Sequence, residues 1–132
     1  MPMVIPHITS SDANKAIEFY KAAFGATEVR KMPHQDGKRI MFAELRIGDG
    51  SLYLNDDFPE FCGGKSRTVA HLGGTPVTLH MNVPDCDAAI KRAADAGAHV
   101  TMGASDMFWG DRYGQVKDPF GFEWSFSHPL KK

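Results

Sequence analysis

The chain carries one strand–helix unit twice. Ser11-Asp12-Ala13-Asn14-Lys15-Ala16-Ile17-Glu18-Phe19-Tyr20-Lys21-Ala22-Ala23-Phe24-Gly25-Ala26 is matched half a chain later by Pro84-Asp85-Cys86-Asp87-Ala88-Ala89-Ile90-Lys91-Arg92-Ala93-Ala94-Asp95-Ala96-Gly97-Ala98. Asp12 corresponds to Asp85, Ala16 to Ala89 and Ile17 to Ile90; after a one-residue deletion Gly25-Ala26 corresponds to Gly97-Ala98. A solenoid needs at least three units. Two copies instead predict a pair of modules around a shared cleft, a default place for a small-molecule site. At 132 residues the chain is one domain's worth. Each half alone is short for a core, so the halves are expected to fold together or across a homodimer.

Charge and cysteine usage narrow the function classes. The formal net charge is −1 and no segment forms a basic stripe, which argues against nucleic acid. Lys131-Lys132 reads as a solvated tail. No apolar run reaches the length of a membrane span, and Met1-Pro2-Met3-Val4-Ile5-Pro6 lacks the pattern of a secretory leader. Cys62 and Cys86 form no CxxC pair and no disulfide framework, which fits a reducing, cytoplasmic setting.

Periodicity gives the elements. Val4 to Thr9 predicts a strand with an irregular start at Pro6. Ser11 or Asp12 caps a helix whose buried face is Ala16, Ile17, Tyr20, Ala23 and Phe24, and Gly25 stops it. Thr27 to Met32 and Lys38 to Ile47 read as strands joined through Gln35-Asp36-Gly37, followed by a strand over Ser51 to Asn55. The module is βαβββ over residues 1–56. Residues 57–76, with Gly63, Gly64, Gly73, Gly74, Pro59 and Pro76, show no apolar period and read as a structureless, mobile linker or lid. The second module spans 77–128. It comprises a strand over Val77 to Val83, a helix capped by Asp85 and buried through Ala89, Ile90, Ala93 and Ala94, and a strand over His99 to Met102. A loop over Ser105 to Gly110 follows, then closing strands over Arg112 to Lys117 and Phe122 to Ser127. The expected fold is α+β: eight strands and two helices in two βαβββ modules that form a curved, cleft-bearing sheet.

Period-two alternation assigns the strand faces. Met41, Ala43, Leu45 and Ile47 should face the helix, which sends Phe42, Glu44 and Arg46 to the other side. Leu79 and Met81 likewise send Thr78, His80 and Asn82 outward. Leu52 and Leu54 leave Tyr53 and Asn55, and Phe122, Trp124 and Phe126 leave Glu123, Ser125 and Ser127. Val4 and Ile8 as core would leave Ile5, His7 and Thr9. The surface opposite the helices thus mixes aromatics with His7, Glu44, Asn55, His80 and Ser125, a composition suited to a small organic ligand with a few polar anchors.

The repeated module, the opening "SDANKAIEFYKAAFGA" and the closing "DPFGFEWSF" resemble the vicinal oxygen chelate superfamily of glyoxalase I, bleomycin-resistance proteins and extradiol dioxygenases. "AELRIGDGSLYLNDDFPE", "GGTPVTLHMNVPDCDAAI" and "FWGDRYGQVKDPFG" resemble its PhnB-like branch, which commonly has His where this chain has Phe122. The resemblance implies a divalent-metal site in the superfamily's metal enzymes, with ligands on the first, fourth, fifth and eighth strands. Counted from the helix start and the closing glycine, those positions are Ile5, Tyr53, Thr78 and Ser125. They lack the imidazoles and carboxylates such a site uses.

The remaining candidates each have a bland alternative. His7, His80 and Glu44 could form a displaced two-His, one-carboxylate metal site, or the histidines could bond one another, Asn55 or water in a polar pocket. Glu44 is the candidate general base, or the partner of Arg46. Phe108-Trp109-Gly110-Asp111-Arg112-Tyr113-Gly114 is the densest aromatic cluster. There Trp109 could stack on a planar ligand, or plug the module or a dimer. Arg112 could anchor a carboxylate or pair with Asp111. His34 and His71 read as surface residues, and Cys62 and Cys86 as inert thiols. The expected function is metal-free binding of a small molecule, with ligand contacts from His7, Phe42, Tyr53, Asn55, His80, Trp109, Arg112 and Ser125 and no cofactor. The alternative is a metal-dependent lyase, isomerase or dioxygenase using the displaced site.

Overall fold

A computed structural model describes residues 3–130; the Lys131-Lys132 tail and Met1-Pro2 lie outside the described residues. The chain divides into two compact units, Met1–Gly74 and Thr75–Lys132. Each contains one βαβββ module with its own four-stranded sheet, so the α+β class expected from the repeat is the class observed.

In the first unit the sheet order is β1-β4-β3-β2, built from β1 (His7–Ser10), β2 (Thr27–Pro33), β3 (Ile40–Ile47) and β4 (Gly50–Asp56). β1 runs parallel to β4, and the other pairs are antiparallel. β1 starts at His7 rather than Val4. Pro6 has no N–H to give a ladder, although its carbonyl accepts from the Tyr53 amide at 2.9 Å, and Val4 is left exposed. Helix α1 (Ala13–Phe24) is capped by Asp12, whose carboxylate accepts the Lys15 amide at 3.1 Å. It ends at Gly25, where φ is 68°. Ala13, Ala16, Ile17, Phe19, Tyr20 and Ala23 of α1 are buried, as are Ile8, Ala43, Leu45, Leu52 and Leu54 of the strands. Asp56, buried at the end of β4, ties these layers together. One carboxylate oxygen accepts the Ala13 amide at 2.8 Å and the other the Ile40 amide at 2.7 Å.

Met41 departs from the alternation. Pro33 pairs with Ile40 and Met32 with Phe42, so Met41 is the extra residue of a bulge. The bulge buries Ile40 and leaves Met41 exposed, whereas strict alternation placed Met41 against the helix.

The segment after β4 is not structureless. Pro59–Phe61 forms a 3-10 turn, and α2 (Val69–Leu72) is a short helix capped by the Thr68 hydroxyl. Arg39 fastens the first turn. Its Nη1 and Nη2 donate to Glu60 at 3.1 and 2.6 Å, Nη1 reaches the Asp57 carbonyl at 3.2 Å, and Nε donates to Asp36 at 2.7 Å. The guanidinium lies 4.3 Å from the centroid of the Phe58 ring, which is buried. His34, expected at the surface, is half-buried and tilted against Phe58 with ring centroids 5.2 Å apart.

The second unit repeats the plan with β5 (Thr78–Asn82), α3 (Cys86–Ala96), β6 (His99–Asp106), β7 (Asp111–Lys117) and β8 (Glu123–Pro129) in sheet order β5-β8-β7-β6. Asp85 caps α3 by accepting the Ala88 amide at 3.1 Å. Cys86, Ile90, Ala93, Val116, Phe122, Trp124 and Phe126 form the buried set. β6 continues through Ser105 and Asp106, which pair with Tyr113 and Arg112, so the expected loop over Ser105 to Gly110 shrinks to residues 107–110. The sequence hid this because Gly103, Ala104 and Ser105 carry little apolar signal and the ladder shifts register twice before them.

Candidate functional site

Each sheet offers one face to its helix and one away from it; the strand candidates other than Arg112 lie on the faces away, whereas Arg112 reaches Asp87 of α3 and Trp109 sits in the turn between β6 and β7. In the first unit His7 pairs with Tyr53 across β1 and β4, Thr9 with Asn55, and Glu44 of β3 with Tyr53 from the other side. Phe42, two residues from Glu44, shares that face. Three rings meet there nearly at right angles. The Phe42 and Tyr53 centroids are 4.8 Å apart at 80°, and His7 lies 6.1 Å from each at 83° and 82°. This edge-to-face order sets the positive ring edge against the negative ring face. The Thr9 hydroxyl donates to Asn55 Oδ1 at 3.3 Å. Burial, and then the charge of Arg67, hold the His7 pKa below the ordinary imidazole value.

Glu44 does not pair with Arg46. Its Oε1 accepts from Arg30 Nε at 3.0 Å, because Arg30 stands directly across the β2–β3 ladder. The Arg30 guanidinium also lies 5.1 Å from the Phe42 ring centroid. Arg30 is not legible in the sequence as the partner of Glu44, because a register shift between Glu28 and Arg30 sets which β2 side chain meets it.

In the second unit His80 stands opposite Ser125 and Asn82 opposite Ser127. Nδ1 of His80 lies 2.7 Å from Ser125 Oγ, and Nε2 lies 3.1 Å from Asn82 Oδ1 and 3.0 Å from Ser127 Oγ. Both ring nitrogens are therefore engaged in hydrogen bonds, whichever of them carries the proton. The imidazole stacks on Tyr113 at 6.1 Å and 11°, and Tyr113 Oη accepts from Gln115 Nε2 at 2.9 Å. Trp109 meets Tyr113 edge-on at 5.9 Å and Phe108 at 5.1 Å. Tyr113, Gln115, Asn82 and Ser127 were not among the candidates. The repeat carried the signal: His7 and His80 each stand five residues before the capping aspartate of their module, and the partners of one predict those of the other.

Arg112 is not directed to a ligand or to Asp111. Nε and Nη2 donate to the two oxygens of Asp87 at 2.7 and 3.0 Å, and Nη1 donates to Asp106 at 2.8 Å. This bidentate pairing holds the Asp87 carboxyl below the usual carboxylate range. Asp85, Asp87 and His128 place one ligand atom each within 4.8 Å of one another. Asp85 is already capping α3 and Asp87 is already holding Arg112.

The positions where the resemblance implies metal ligands do not fit a divalent ion. Ile5 precedes β1, Thr78 offers an exposed hydroxyl, Tyr53 packs its ring among Phe42 and His7, and Ser125 is bonded to His80. No carboxylate or free imidazole stands at any of the four, so little there would offset the cost of stripping water from an ion.

A model of the glyoxalase/bleomycin resistance protein/dioxygenase superfamily matches residues 4–126. An uncharacterized protein of Mycobacterium bovis is 50% identical over 131 residues, covering 99% of this chain and 86% of its own. An Arabidopsis thaliana protein is 30% identical over 129 residues, covering 91% of this chain and 74% of its own. Among solved structures, TioX from Micromonospora sp. ML1 superposes with a TM-score of 0.75 at 26% identity, covering 98% of this chain and all of its own, 100%. An Arabidopsis thaliana gene product superposes with a TM-score of 0.74 at 28% identity, covering 96% and 98%. The chain belongs to the glyoxalase/bleomycin resistance protein/dioxygenase superfamily.

Proposed function

We propose that this superfamily member is a small-molecule-binding protein that works without the divalent metal site of the metal-dependent relatives. The observation that carries the reading is the bonding of His80. A metal-ligating imidazole must keep one nitrogen lone pair free. Here Nδ1 is engaged by Ser125 and Nε2 by Asn82 and Ser127, so the ring serves as a fixed polar platform. Glu44, the carboxylate of the alternative displaced metal site and the candidate general base, is bonded to Arg30. His7, Phe42, Tyr53 and Asn55 in the first unit, and His80, Ser125 and Trp109 in the second, are the proposed ligand-contacting residues. Arg112 drops out of that set because Asp87 and Asp106 hold it.

Assignment to the PhnB-like branch, a homodimer and a cytoplasmic location belong to the same proposal, as does residues 1–132 acting as one domain of two repeats. The motifs above and the two unbridged cysteines support them. Among the described residues no helix is long and apolar enough to cross a membrane. The test is calorimetric titration with zinc, nickel and manganese of protein purified without chelator or affinity nickel. No stoichiometric tight binding is expected. Tight binding that is lost in His7→Ala and His80→Ala would establish the displaced metal site, and tight binding that survives both would place a metal elsewhere. Either result defeats the reading.

A further inference from the structure

We propose that the face of the first sheet turned away from α1 takes a planar aromatic anion, an aromatic carboxylate, with its ring among His7, Phe42 and Tyr53 and its charge met by Arg30. This deepens the reading of a small-molecule binder and rests on it.

The charge on this face is one-sided. β3 contributes Phe42, Glu44 and Arg46, and their cross-strand partners on β2 are Met32, Arg30 and Thr27. β1 and β4 contribute His7, Thr9, Tyr53 and Asn55. Glu44 is the single acid in this set, which holds two arginines, Arg30 and Arg46. Arg30 uses only Nε for Glu44; its terminal nitrogens make no hydrogen bond among the described residues. Since the guanidinium lies over Phe42, its outer edge is a planar fork at the rim of the aromatic group, the geometry that grips a carboxylate with two parallel bonds. A cationic ligand would find both of its natural partners, the Phe42 ring and the Glu44 carboxylate, already taken by Arg30.

Near this face, Arg67 immediately precedes Thr68, the cap of α2, and its amide donates to Asp57 Oδ1 at 3.1 Å; its side chain is exposed, and its charge is a lesser cause, after burial, of the lowered His7 pKa. The corresponding face of the second sheet is different. Its hydrogen-bonding groups, His80, Asn82, Ser125, Ser127, Tyr113 and Gln115, include no arginine or lysine, and Lys117 stands beside Glu123 in register. Anion preference therefore belongs to the first sheet alone.

The experiment compares 2-naphthoate, 2-naphthamide and 2-naphthylmethylammonium by isothermal titration calorimetry on the full chain. These probes share a ring system and differ in charge. 2-Naphthoate is expected to bind about tenfold or more tightly than the amide, and to weaken as salt rises because the attraction is screened. Arg30→Gln should weaken naphthoate by about five- to tenfold, and the amide less. Circular dichroism and thermal melts check that this surface variant folds. Amide or ammonium binding as tightly as naphthoate, or an Arg30→Gln variant that leaves naphthoate unaffected, overturns the anion assignment while the binding reading stands. Failure of all three probes on the wild-type protein overturns both.

Discussion

Asp118 opens the "DPFG" turn that carries much of the family resemblance, and its removal tests what that motif does. The residue is 4% exposed. Oδ1 accepts the amides of Phe120 at 2.9 Å and Phe122 at 3.0 Å, and Oδ2 accepts Trp124 Nε1 at 2.9 Å. The Phe122 amide and the Trp124 indole are in buried surroundings, so Asp118→Ala leaves donors that water does not readily reach. Each orphaned buried donor costs about 1–3 kcal/mol. We expect Asp118→Ala to lose about 4 kcal/mol in urea denaturation, at the upper end of single-substitution effects. Asp118→Asn is isosteric and separates the contributions. Its amide oxygen keeps the two backbone donors, while its NH2 group confronts the Trp124 N–H, so about 2 kcal/mol should be lost. Trp124→Phe in the Asp118→Asn background removes the confronted donor. The double-mutant cycle should then show favourable coupling of about 1 kcal/mol or more. Equal losses in Asp118→Asn and Asp118→Ala, or no coupling to Trp124, would refute the argument that the carboxylate acts by satisfying these particular donors.

Three further outcomes follow from the geometry. A Cβ on Gly114 would clash with the Ile90 side chain and lie 3.0 Å from the Met102 carbonyl and 3.3 Å from the Ala104 Cα. Gly114→Ala should therefore cost about 1–3 kcal/mol in urea melts, with partial rescue by Ile90→Ala. Arg39 holds the Glu60 carboxyl down to about 2, against an ordinary 4.5. The latch on residues 57–61 is fully present above 4.5 and lost as pH falls through about 2, so amide exchange there should accelerate across that window and Glu60→Gln should accelerate it at neutral pH. His7 should titrate below 6.5 by NMR and move upward in Arg67→Gln. Its depressed value makes the unfolded chain take up the proton first, so its contribution to stability declines as pH falls from 6.5 through the folded value.

The elements were largely legible because their signals are local. Asp12 and Asp85 cap the helices, Gly25 and Gly97 end them, and the Leu52–Leu54 row alternates as expected, although in β8 Ser125 and Ser127 are buried along with Trp124 and Phe126. What escaped lay where register shifts. The Met41 bulge and the extension of β6 to Asp106 both follow ladder irregularities that no residue pattern announces. The ordering of the 57–72 segment also escaped, because Arg39 reaches Glu60 from another part of the chain, 21 residues away.

The sequence by itself determined that this chain holds two βαβββ modules, which side of β4 and β5 meets a helix, and that the usual metal-ligand positions hold no imidazole or carboxylate. Those properties depend on periodicity and residue identity. Tertiary structure decided the partners: Arg30 rather than Arg46 for Glu44, Asp87 rather than Asp111 for Arg112, and Ser125 and Ser127 for His80 across sequence separations of 45 and 47. A long polar side chain can reach several neighbours on its face. The register of strands far apart in sequence selects one, and that register is set by packing of the whole sheet against its helix.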